Sequence, residues 1–271
     1  MSKSPITFLT FLWRALLSTP KSRVCVFVIG APRSGTTLLK TLIVSHSKYG
    51  SCDYEGTGIF AIRDLREYRL KELNDDEIAD LLSRYTSLIS FYDALTNSIL
   101  SKKGGVIFVD KLSMNWLCLQ YVARLLPQSK FVNIVRDGRD VFCSARKHPN
   151  IPQATTAAHF ARYWRRCVHL PRATIPSPRL LTVQYEQLVA FPAEQVARVM
   201  KFLGKEFEND QIKVKIYSAT TGLMHTDQHR NLGEPISTRS VGRWRDELSE
   251  QEQAAFFRIA GVDLRSFGYL D

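Results

Sequence analysis

The amino-acid sequence predicts an α/β fold: a three-layer domain with a central, mostly parallel sheet flanked by helices. Short apolar runs rich in Val, Ile and Phe alternate with longer stretches of helical period, and each run leads through a polar loop into a helix. A parallel sheet covered on both faces needs strands that read as continuous apolar runs, because neither face meets water. Four runs fit: residues 24–29 (VCVFVI), 106–109 (VIFV), 130–135 (KFVNIV) and 179–183 (RLLTV).

The longest helix is predicted over residues 75–100. Ile78, Leu81, Leu82, Tyr85, Leu88, Ile89, Tyr92, Leu95 and Ile99 trace one face, and Asn74 with Glu77 forms a capping box. A second covers residues 192–203, with Val196, Val199, Met200 and Leu203 inward and Gly204 placed to stop it. At 271 residues and 45% hydrophobic content, with no internal repeat, the chain reads as a single domain over residues 1–271. Residues 218–241 are rich in Ser, Thr, Gly and Asn without sustained period, and read as a flap over the functional site.

The 37 Lys and Arg outnumber the 26 Asp and Glu, for a formal charge of +11, which favours an anionic ligand, nucleic acid or an acidic membrane surface. No acidic residue precedes Asp53, whereas Lys3, Arg14, Lys21, Arg23, Arg33, Lys40 and Lys48 all do, so an anion is expected near that end. Cys25, Cys52, Cys118, Cys143 and Cys167 are scattered without a C-x-x-C pair, which indicates neither zinc nor a disulfide framework and makes a reducing, cytoplasmic setting the expectation. Within the amino-terminal segment 1–22, an apolar stretch opens on Ile6 and closes on Leu17 (ITFLTFLWRALL). It is shorter than the ~20 residues a bilayer span needs and contains Arg14, and a signal-peptide reading finds no A-x-A-like cleavage site before Val24, so a packed helix is expected ahead of a peripheral membrane contact.

The most informative stretch is VCVFVIGAPRSGTTLL, residues 24–39, in which a buried strand runs into a glycine loop and then a helix. Gly30 and Gly35 let the backbone wrap closely, and the amides from Ser34 to Thr37 (Ser34, Gly35, Thr36, Thr37) face an anion at the helix N-terminus, where the helix dipole favours negative charge. The glycine spacing is that of the P-loop G-x-x-x-x-G-K-[ST], but Thr36 stands where a nucleoside triphosphatase has its lysine. Arg33 supplies a cation from within the loop instead.

PRSGTTLL after an apolar strand resembles the 5′-phosphosulfate loop of sulfotransferases that use 3′-phosphoadenosine-5′-phosphosulfate (PAPS), a family with a P-loop-type α/β fold. FVNIVRDGRDVFCS, residues 131–144, resembles that family's 3′-phosphate motif, with Arg136 closing a strand and Ser144 eight residues on. Asp110-Lys111, residues 183–188 (VQYEQL) and residues 240–244 (SVGRW) extend the likeness over residues 24–248. The spacing is nearest to the branch of tyrosylprotein and bacterial carbohydrate or small-molecule enzymes. The cytosolic steroid and phenol branch fits less well: its first-loop lysine is Arg33 here, its catalytic histidine has no counterpart, and its R-K-G-x-x-G motif is absent.

The resemblance implies that Arg33, Ser34, Gly35, Thr36, Thr37, Arg136, Ser144, Tyr185 and Arg243 bind the donor, and that Arg33 and Lys111 stabilise charge on the leaving oxygen without a metal. Glu55 is the expected general base, with Asp53 two residues away as the alternative register. Arg139 and Asp140 are expected to pair across the turn, and Glu186 to brace its loop. The helix bearing Arg162, Arg165 and Arg166, with His159 and His169, reads as a solvated face or an acidic-acceptor surface. His46, His148, His225 and His229 lack metal-ligand spacing, and His229 is a secondary candidate for acceptor contact.

The implied partners are a nucleotide donor and a hydroxyl acceptor. Acceptor classes left open are a carbohydrate, a small alcohol or phenol, and peptide tyrosine. A P-loop kinase or hydrolase remains a second reading, because residues 106–110 (VIFVD) resemble a strand ending in a magnesium-binding aspartate. A non-catalytic anion-binding module is the third; a nucleic-acid surface would need interleaved aromatic and basic residues that the chain lacks.

Overall fold

In the computed structural model the described residues are 13–52, 57, 59–61, 72–112, 114, 116–148, 151–213 and 236–270. Among the described residues, five parallel strands form one sheet: β1 (Cys25–Gly30), β2 (Tyr49–Gly50), β3 (Ile107–Lys111), β4 (Lys130–Val135) and β5 (Leu180–Gln184), in the order β2-β3-β1-β4-β5. The four long strands are those the apolar runs predict. The two-residue β2 is too short to leave a pattern in the sequence.

Alternate residues of β1 face opposite layers, as a strand's two-residue period requires. Phe27 and Ile29 pack with Phe131, Phe108, Tyr92 and Leu119, the last two from helices α3 (Leu88–Lys103) and α4 (Trp116–Leu125). Val26 and Val28 pack with Leu39 and Leu42 of α1 (Thr36–Val44) and Val199 and Met200 of α8 (Pro192–Leu203). A third cluster at the edge of the sheet joins α5 (Gly138–Ala145), α6 (Ala157–Thr174) and α10 (Glu250–Ser266) through Val141, Phe160, Trp164 and Phe256.

The single helix expected over residues 75–100 is two: α2 (Asp75–Arg84), then a break, then α3. Ser87 starts the second helix by accepting from the Ser90 amide at 3.2 Å. Arg14 ends the first, its guanidinium donating to the carbonyls of Leu82, at 2.9 Å, and Tyr85. These carbonyls lie in the last turn, where intrahelical partners run out. Arg14 therefore docks the helical turn at residues 13–16 on the body. The Asn74–Glu77 capping box forms as expected, and α8 ends on Gly204 in the left-handed conformation (φ 76°).

The basic face of α6 is only partly solvated. Asp263 of α10, itself buried, accepts from Arg165 Nε at 2.5 Å and pairs with His169 Nε2 at 2.6 Å, so these two side chains clamp α6 to α10. All five cysteines are free and buried, and burial pushes the thiols of Cys25, Cys52 and Cys143 up to about 11. Among the described residues no helix is long and apolar enough to cross a membrane.

Because the strands are parallel, Gly30, Lys111, Val135 and Gln184 all end on one edge of the sheet, where open α/β folds place their ligands.

Candidate active site

β1 enters its loop at Gly30, where a side chain would lie 2.6 Å from the Ile134 carbonyl of the neighbouring strand. The loop turns through Arg33, with a φ of 71° the only non-glycine residue at positive φ among those described. Gly35 (φ 95°) then opens α1 without any side-chain cap, and a Cβ there would sit 2.6 Å from the Tyr185 ring. The uncapped first turn of α1 leaves amide donors facing the strand edge. Ser34 Oγ is buried and has no hydrogen-bond partner among the described residues. An orphaned hydroxyl beside an uncapped helix start fits an anion that accepts from both.

The second motif meets this loop directly. Arg33 Nε donates to Ser144 Oγ at 3.2 Å, and Arg136 Nη1 donates to the Arg33 carbonyl at 3.2 Å. The Arg136 guanidinium lies over the Tyr185 ring at 4.5 Å and donates to the Ser240 carbonyl, while its buried Nε has no partner among the described residues. Residues from four separate motifs, Arg33, Arg136 with Ser144, Tyr185 and Ser240, thus converge on one edge of the sheet. Lys111 stands at the end of β3, opposite Val28 of β1.

Arg243 is engaged by an acidic neighbour. Its guanidinium pairs with Glu247 of α9 (Trp244–Glu247), with Nε and Nη2 each 2.8 Å from Oε1. The expected Arg139–Asp140 pair does not form. Arg139 pairs with Asp137 at 2.7 Å and lies over the Trp244 ring, while Asp140 accepts from the amides of Gly242 at 2.8 Å and Trp244 at 3.0 Å. The reason is geometric: Asp137 is the N-cap of α5 and reaches forward to Arg139, whereas Asp140, in the first turn, faces the 240–244 segment. Burial pushes the Asp140 carboxyl above its ordinary range. Glu186 braces its loop as expected, accepting from the Asp137 amide at 3.0 Å and from Tyr269 Oη at 2.9 Å.

Asp110 is not placed for magnesium. Its fully buried carboxylate accepts from Thr57 N (2.8 Å), Thr57 Oγ1 (2.6 Å), Tyr92 Oη (3.1 Å) and the Lys111 amide (2.8 Å). Four donors use the roughly four lone-pair sites a carboxylate offers. Among the described residues no group of three His, Cys, Asp or Glu is arranged to hold a metal. Glu55, Asp53, His225 and His229 lie outside the described residues, as does most of the expected flap.

The sulfotransferase family model matches residues 25–209. The chain belongs to the sulfotransferase family. It is 28% identical over 203 residues to protein-tyrosine sulfotransferase 2 of Gallus gallus; the match covers 68% of this chain and 52% of the chicken protein, so the chain spans about half the length of that relative. In structure it is similar to the sulfotransferase domain of the Synechococcus PCC 7002 olefin synthase, with a TM-score of 0.68 and 19% identity over 90% of this chain and 95% of that domain. It is also similar to mouse sulfotransferase SULT7A1 complexed with PAP, with a TM-score of 0.57 and 16% identity over 97% and 94% of the two chains. These likenesses give the fold as α/β of the sulfotransferase kind. Within the family match lie the loop carrying Arg33 and the motif carrying Arg136 and Ser144.

Two structural roles were not anticipated: Lys40 counted only toward the basic excess before Asp53, and Thr57 was not singled out. Lys40, buried on the inward side of α1, donates to the Cys52 carbonyl at 2.9 Å; its signal is a lone charge in the apolar run LLKTLI. Thr57 carries no signal of its own, because its partner Asp110 is 53 residues away.

Proposed function

We propose that the protein transfers the sulfuryl group of PAPS to an acceptor hydroxyl by in-line displacement, without a metal. The observation that carries this is the direct Arg33–Ser144 hydrogen bond, which joins the loop suited to a 5′-phosphosulfate to the motif suited to a 3′-phosphate. A donor with anions at both ends of one nucleoside needs two such cradles side by side. The α1 amides and Ser34 Oγ bind the 5′ group, Arg33 and Lys111 stabilise charge on the departing oxygen, and Arg136 with Ser144 selects the 3′-phosphate. Tyr185 supports the Arg136 guanidinium with its ring, and Arg243 reaches the donor by leaving Glu247. Glu55 takes the proton of the attacking hydroxyl. Acceptor classes consistent with this chemistry are a carbohydrate, a small alcohol or phenol, and peptide tyrosine.

The desulfated product, 3′-phosphoadenosine-5′-phosphate (PAP), is expected to raise the thermal midpoint well above the effect of adenosine monophosphate. Arg136→Ala should remove most of that increment, measured against the variant's own ligand-free midpoint. Each charge-assisted bond lost is worth about 1.5–3 kcal/mol. Equal stabilisation by the two nucleotides would refute the 3′-phosphate assignment.

The amino-terminal segment supports a peripheral membrane contact. Trp13 and Leu16 are 64% and 79% exposed next to Arg14, which is anchored to α2. The full chain should pellet with phosphatidylserine vesicles, and a Trp13→Ser/Leu16→Ser variant should lose roughly tenfold in partitioning. Equal pelleting of both proteins would remove the segment from this role.

A further inference from the structure

Three parts of the proposed site sit on different elements: the anion loop on α1, the chain leaving β2, and Lys111 at the end of β3. Two buried charged side chains tie them together. From α1, Lys40 Nζ donates to the Cys52 carbonyl at 2.9 Å. From β3, Asp110 holds both the Thr57 amide and its hydroxyl, and its Oδ1 also accepts the Lys111 amide. Ser51 Oγ adds a link from the β2 exit to the Val109 carbonyl at 2.6 Å. Cys52 and Thr57 are therefore each fixed to a different element, and the acidic stretch that bears Asp53 and Glu55 connects them.

A buried lysine and a buried carboxylate are costly unless hydrogen-bonded, and apolar side chains would fill the same positions at lower cost. Here Lys40 bonds the Cys52 carbonyl, and Asp110 accepts from the amide and hydroxyl of Thr57 as well as from the Lys111 amide and Tyr92 hydroxyl. We propose that Lys40 and Asp110 are positioning residues for sulfuryl transfer: they set Cys52, Thr57 and Lys111 against the anion loop, and neither touches donor or acceptor. The inference rests on the sulfotransferase reading above and deepens it. Misplacement of a reacting group by about 1 Å costs on the order of a hundredfold in rate, so loosening either tether should act on turnover more than on binding.

The test measures turnover number, acceptor KM, PAP dissociation constant and thermal midpoint on the full chain. Thr57→Val, which is isosteric but lacks the hydroxyl, and Lys40→Met should each lower kcat by roughly 10- to 100-fold, with PAP affinity within about twofold of the parent. Thr57→Ser restores the hydroxyl and should recover kcat to within about threefold. Tyr92→Phe removes a donor from the same carboxylate but leaves the bonds to Thr57 and Lys111 in place, so it should lower the thermal midpoint and keep kcat. The inference is overturned if Thr57→Val and Lys40→Met lower only the midpoint, or if PAP affinity falls in step with kcat. Glu55→Gln separates it from the assignment of the base. Full turnover in Glu55→Gln beside slow Thr57→Val removes the base and keeps the tether; the converse keeps the base and removes the tether.

Discussion

Glu55→Gln is expected to lower turnover by roughly two to four orders of magnitude while PAP affinity stays within about twofold. An amide of the same size keeps the shape of the site but cannot take the proton that the acceptor hydroxyl releases as it attacks sulfur. Product binding involves no such proton, so equilibrium titration of PAP should not sense the change. The neighbouring carboxylate provides the control. If Asp53→Asn is inactive and Glu55→Gln retains near-normal turnover, the base is Asp53. If neither change slows transfer, a carboxylate base is excluded, and His229 becomes the next side chain to replace. Steady-state rates with labelled donor, measured beside PAP titrations on the same preparations, decide among these outcomes.

How far the molecule could be read from its sequence depends on how local each determinant is. The four long strands were legible because burial on both faces leaves an uninterrupted apolar run, whereas β2 has only two residues in which to show a pattern. The break between α2 and α3 was not legible. One apolar stripe runs through both helices, and the cation that ends the first comes from Arg14, 68 residues before Leu82. The anion loop is a contiguous motif and could be read directly, including the absence of the triphosphate lysine. Pairings between motifs could not: sequence proximity joined Arg139 to Asp140, but Asp137 is nearer in space, and Asp140 is claimed by amides more than a hundred residues away. The partners of Asp110 were not legible for the same reason. A carboxylate at the end of an apolar strand looks alike in sequence whether it faces a magnesium ion or a threonine.

The same loop yields the prediction that separates structure from chemistry most sharply. Arg33→Ala should weaken PAP binding by about tenfold and lower kcat/KM by roughly a thousandfold, because this cation faces charge that is present on the bound donor and grows as the leaving oxygen departs. Arg33 occupies the left-handed region (φ 71°), which costs a side-chain-bearing residue roughly 1–2 kcal/mol and a glycine almost nothing. Alanine keeps that cost and glycine removes it, and both lose the guanidinium and its bond to Ser144. Arg33→Gly should therefore be as inactive as Arg33→Ala yet melt a few degrees higher, about 1 kcal/mol more stable in the absence of ligand. Ser144→Ala, which removes only the hydroxyl and leaves the cation, should reduce kcat/KM far less than either. If Arg33→Gly regains turnover over Arg33→Ala, the loop's backbone geometry and not its charge limits the reaction. If all three variants turn over at the parental rate, the cation that stabilises the departing oxygen is not Arg33, and Lys111→Ala should then show the thousandfold loss in kcat/KM expected of that role.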